Sequence, residues 1–83
     1  MSSIEELRVQ LTEAGGITEA GVAVLEQMQQ NLGQNISDLS QIGGEVLAQA
    51  ISGANTASDA SAAAREELVM LRHNINTYLD QLN

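Results

Sequence analysis

The stretch IEELRVQLTEAGGITEAGVAVLEQMQQNLGQNISDLSQIGGEV, residues 4–46, decides the fold class. Counted in sevens from Ile4, its a positions are Ile4, Leu11, Thr18, Leu25, Leu32, Leu39 and Val46, and six of these seven are large aliphatics. The d positions are Leu7, Ala14, Gly21, Met28, Asn35, Ile42 and Gln49, a column with small and polar members. A sustained apolar period of about 3.5 residues marks helices that pack along a left-handed seam. The small d residues predict close approach of a neighbouring helix, and Asn35 and Gln49 are polar layers of the kind that fix register.

Downstream, the rhythm repeats. Ala57, Ala64, Leu71 and Tyr78 alternate with Ala54, Ser61, Leu68, Ile75 and Leu82, the small residues first and the large ones last. This predicts a helix pair that is tight near its turn and wider at the far end. Val22, Ile36, Leu47, Val69 and Leu79 lie off the seam and widen the apolar stripe, which calls for a third or fourth helix. The expected core and interface stripe is therefore Ile4, Leu7, Leu11, Leu25, Met28, Leu32, Leu39, Val46, Leu68, Leu71, Ile75, Tyr78 and Leu82.

Ser3 and Glu6 have capping-box spacing ahead of the apolar rhythm. The expected turn is Ile51, Ser52 and Gly53. Gly53 suits a helix C-terminus, Thr56 or Ser58 can cap the next helix, and Asp59 is favourable in its first turn. The reading is a single domain over 1–83, with helix one at about 3–51, the turn at 52–56 and helix two at about 57–82. Gly15-Gly16 marks a bend or a break in helix one, and the unbroken a column across it favours continuity. At about 1.5 Å per residue these helices would measure roughly 73 Å and 38 Å. Residues 4–22 would then overhang, and Ile4, Leu7 and Leu11 would need cover from another chain. The fold class is all-α: a helical hairpin with a long helix one and a shorter helix two, assembled into a four-helix-type bundle.

Composition narrows the function. The 83 residues include no cysteine and no proline, so disulfides and thiolate metal sites are excluded and long uninterrupted helices are favoured. Tyr78 is the only aromatic, so the core must be thin aliphatic layers. Eleven acids against three arginines give a net charge of −8, which opposes nucleic acid and anionic membranes as partners. No segment approaches the roughly 20 apolar residues of a membrane span, and residues 1–20 lack the basic start and apolar run of a cleaved signal. The expected location is the cytoplasm, or outside the cell by a route that cleaves no signal.

No catalytic, cofactor-binding or metal-binding set can be named. His73 is the only histidine, and the carboxylates lack metal-ligand spacing. Glu66-Glu67 reads as a solvated face and Glu5-Glu6 as an acidic helix start. Arg65 and Arg72, seven apart with His73 beside the second, read as pairing with the acidic surface or as a small positive docking patch. Gly15-Gly16 and Gly43-Gly44 follow no strand and are not phosphate loops. The expectation is a protein that is not an enzyme and holds no cofactor.

Ile51-Ser52-Gly53, followed by Ala54 and Asn55 between two helical segments, resembles the turn of the small helical-hairpin substrates of type VII secretion, the Trp-x-Gly (WXG) family, with an apolar residue in place of the tryptophan. That family's export signal is a tyrosine with an acid four positions later; here Tyr78 is followed at that offset by Leu82, and the nearest acid is Asp80. The resemblance covers size, acidity, lack of cysteine and helix–Gly turn–helix layout. It implies a bacterial helical dimer, exported without a cleaved signal or paired with a larger exported protein. From the residues themselves, the expected role is a helical interaction module. Its partner would be a second copy, with the dimer preferred, or another helical protein. The alternative is a structural subunit of a filament or needle, in which the overhang captures the next copy.

Overall fold

In the computed structural model, which describes residues 3–82, two helices lie side by side and antiparallel. Helix α1 runs Ser3–Ile42 and α2 runs Glu45–Gln81. The chain reverses at Gly43 and Gly44, whose φ angles are 78° and 106°. An L side chain enters that region only with a steric penalty, so two successive glycines are what this turn requires. The Gly43 N–H donates to the Leu39 carbonyl at 3.1 Å, and the Ala48 N–H donates to the Gly44 carbonyl at 3.0 Å, closing the helix ends on both sides of the bend.

The turn expected at Ile51, Ser52 and Gly53 is therefore corrected, since all three lie inside α2. Gly53 keeps helical geometry, with open space where a side chain would stand. Reversal at 43–44 makes the helices 40 and 37 residues long, so nearly every turn of one has a turn of the other beside it. The hairpin keeps its longer first helix, but with lengths so close the expected overhang over 4–22 is corrected. α1 continues through Gly15-Gly16.

Three contacts fix the register: Gly15 against Arg72, Gly21 against Leu68, and Met28 against Ser61. On α2 the seam consists of two columns. One is Leu47, Ala54, Ser61, Leu68, Ile75 and Leu82; the other is Ile51, Ser58, Arg65, Arg72 and Leu79. On α1, Leu7, Leu11, Leu25, Leu32 and Leu39 are half-buried along it, joined by Val22 and Ile36. The expected column Ala57, Ala64, Leu71 and Tyr78 is displaced: it flanks the seam, with Leu71 45% and Tyr78 47% exposed. Val46 is 81% exposed, because the heptad count does not carry through the turn and Leu47 enters the seam instead. Ile4 is half exposed near the start of α1, and Met28, 43% exposed, sits at the seam's edge.

Large and small residues exchange sides along the seam. In the half near the turn α1 supplies Leu32 and Ile36, and the register sets them against Ser58 and Ala54. In the other half α1 supplies Ala14, Gly15 and Gly21 against Ile75, Arg72 and Leu68. A Cβ on Gly21 would stand 3.0 Å from Leu68 Cδ1, so the glycine admits the leucine. The rod measures 64 × 14 × 13 Å.

A pair of helices encloses little. Ile75 is the one buried hydrophobic side chain among the described residues, at 8% exposure. Thr18 and Ser61 are buried with their hydroxyls donating to the carbonyls of Ala14 and Ala57, one turn back. The radius of gyration is 18.7 Å, against about 12 Å for a compact domain of this length. The accessible area is 5877 Å², about 1,100 Å² above the roughly 4,800 Å² of a compact monomer of this mass.

Candidate interaction faces

The hairpin is a two-helix layer with two broad faces, and their chemistry differs. One face carries the cations of α2. Arg65 Nε donates to Glu26 Oε1 at 2.9 Å, and Arg72 Nη1 donates to Glu19 Oε2 at 2.9 Å and to the carbonyl of Gly15. At the open end, Arg8 Nη2 donates to the carbonyl of Leu82, placing positive charge at the C-terminus of α2. All three arginines thus tie α1 to α2. Arg65 and Arg72 are engaged with α1 rather than displayed as a docking patch, while His73 is exposed.

The guanidinium of Arg72 lies against the backbone of Gly15, where a Cβ would meet it at 3.6 Å, an ordinary contact. The stem adds apolar cover while the charge reaches the rim. Glu19 and Glu26 are well exposed, so each ion pair contributes less than about 1 kcal/mol. The carbonyl contact sets Arg72 apart. Arg72→Met is expected to cost about 1–2 kcal/mol in a urea melt, and Glu19→Gln less than half as much. An equal or larger cost for Glu19→Gln would mean that the carbonyl contact contributes nothing.

The opposite face is uncharged over most of its length. Ile17 and Val24 stand two residues before Glu19 and Glu26, about 200° around α1 from the ion pairs. They are 75% and 60% exposed. On α2 the column Ala57, Ala64, Leu71 and Tyr78 lies beyond the Ser61–Leu68–Ile75 column from the arginines, on the same side as Ile17 and Val24 in this antiparallel pair. Gln10 and Asn31 complete the α1 row. From Gln10 to Asn31 on α1 and from Ala57 to Tyr78 on α2, this face carries no ionisable group except the rim phenol of Tyr78.

Of the expected stripe, the hairpin itself uses Leu7, Leu11, Leu25, Leu32, Leu39, Leu68, Ile75 and Leu82, leaving Leu71 and Tyr78 on the uncharged face. Val22, Ile36, Leu47 and Leu79, expected off the seam, enter it, and the arginines take seam positions that the first heptad count does not give them. The signal was present as a second period of seven through Ile51, Ser58, Arg65, Arg72 and Leu79.

Two surface hollows, one lined by Glu5, Glu6, Val9 and Gln10 and the other by Glu26, Gln29, Gln30 and Arg65, are shallow and open. Among the described residues no cluster of His, Cys, Asp or Glu could hold a metal ion, and no helix is long and apolar enough to cross a membrane. Compared with protein-family models, curated proteins and solved structures, the chain matches none.

Proposed function

We propose that this protein is a non-catalytic helical interaction module whose core is completed by helices from another chain. The observation that carries this reading is the exposed, uncharged face of Ile17, Val24, Leu71 and Tyr78 on a hairpin that buries one hydrophobic side chain among the described residues. A two-helix layer of this size gains little from its own seam, and a second layer on the open face turns a single row of contacts into a core. A dimer is the simplest such assembly.

The experiment is a thermal melt followed by circular dichroism across several decades of concentration, with mass measured by light scattering. For a self-associating chain of this size the midpoint should rise by roughly 4 °C per tenfold increase in concentration. A monomer that unfolds at low temperature would point to a different helical partner and leave the module reading standing. A monomer with a high, concentration-independent midpoint would overturn it.

The narrower reading, a secretion-associated dimer of the Trp-x-Gly type, is supported by the hairpin layout, the acidity and the absence of cysteine. Ile51-Ser52-Gly53 lends it nothing, because those residues lie within α2. The filament reading drew on an apolar overhang, and helices of 40 and 37 residues leave none. Matched ends favour a closed assembly.

A further inference from the structure

We infer that the uncharged face is the site for a second copy of this chain, laid antiparallel so that the bulky half of each covers the small half of the other. This rests on the module reading above and adds the occupant, the face and the orientation.

Charge selects the face. Each chain carries −8, so two copies repel unless their contact excludes the carboxylates. The face of Ile17, Val24, Leu71 and Tyr78 excludes them from Gln10 to Asn31 of α1, a length of about 32 Å. Glu19 and Glu26, with the arginines they hold, lie on the far side. A basic partner would instead be drawn to that far side and to the acidic rims, where Glu13 and Glu67 stand.

Area supports the same occupant. Two helices wide and about 32 Å long, the face can bury on the order of 800 Å² per chain, the usual amount for a stable pair. That removes most of the roughly 1,100 Å² by which this rod exceeds a compact monomer.

Shape selects the orientation. On α2 the face reads Ala57, Ala64, Leu71, Tyr78, small toward the turn and bulky toward the open end. Two hairpins related by an axis along their length would lay α1 on α2, stacking Leu71 on Ile17 and Tyr78 on Gln10 at the open end, with the smaller pairs Ala64 on Val24 and Ala57 on Asn31 near the turn. An axis across the helices, level with Gly21 and Leu68, sets Leu71 of one copy over Ala64 of the other and Tyr78 over Ala57. Ile17 then meets Val24, and α1 lies on α1 and α2 on α2. Voids are avoided without strain.

The native chain has no cysteine, so introduced ones report cleanly. Ala64→Cys and Leu71→Cys, prepared separately with different tags, mixed and oxidised, should give a covalent heterodimer. Ile17→Cys mixed with Leu71→Cys, which face each other only in the parallel alternative, should not. Val24→Glu, on the face, should weaken association about a hundredfold, whereas Gln30→Glu, away from it, should change it less than threefold. Circular dichroism of both variants at high concentration checks that the helices remain. Cross-linking of the Ile17/Leu71 pair, or unchanged association of Val24→Glu, would overturn the arrangement while leaving the module reading intact. Native chains that stay monomeric at every concentration would overturn the second copy as occupant, and their melt then decides the module reading by the criterion given above.

Discussion

Ile75→Ala is expected to cost about 3 kcal/mol, enough to remove most of the helical signal of the isolated hairpin at room temperature. Ile75 is the single buried hydrophobic side chain among the described residues, and the register sets it against Ala14, which is too small to collapse into the space left behind. Val46→Ala is the control: at 81% exposure its loss should change stability by less than about 0.5 kcal/mol. The comparison is made by urea titration at low protein concentration, where association contributes least. An Ile75→Ala melt that overlays the parent would show that the seam is not centred where Ile75 places it.

The glycines give the second large effect, and its sign depends on position. Gly16, Gly33 and Gly53 lie inside helices, with open space where a Cβ would stand. Changing all three to alanine should stabilise the protein by up to about 3 kcal/mol, near 1 kcal/mol at each well-separated site. Gly43 and Gly44 also have open space, but their φ angles of 78° and 106° reverse the outcome. Alanine at either should cost at least about 1 kcal/mol through backbone strain alone. Gly53→Ala against Gly43→Ala is therefore a direct test of where the chain turns. A destabilising Gly53→Ala beside a neutral Gly43→Ala would move the turn back to 51–53.

Most of the architecture was legible because helical periodicity survives in composition. The a column from Leu11 to Leu39 and the column Ala54, Ser61, Leu68, Ile75 and Leu82 both line the seam. The turn was obscured because the a count runs on past Gly43-Gly44 to Val46 by coincidence, making that glycine pair look internal. Ser52 to Ser58, rich in small and polar residues, looks like a loop. It is a stretch of helix that stays slim because Leu32 and Ile36 fill the space opposite. The second α2 column was missed because two of its members are arginines. Only the partner helix shows what meets a guanidinium there, the Gly15 carbonyl and the Glu19 carboxylate. Spacing alone places Leu71 and Tyr78 in the core. Spacing tells that a column is apolar, whereas its angle to the partner helix decides whether the hairpin or a further chain covers it.

The exchange of large and small residues along the seam also bears on how the chain finds its alignment. A heptad repeat is ambiguous in phase: sliding one helix past the other by seven residues returns every apolar position to an apolar position. Size breaks that ambiguity. Displaced by one repeat toward the turn, Leu68 would leave the notch at Gly21 and confront Met28, while Ser61 would face Asn35. The misaligned hairpin would thus crowd two large side chains at mid-seam and set a hydroxyl against an amide beside them. Volume, more than hydrophobicity, gives this chain a zero point on an otherwise unmarked scale.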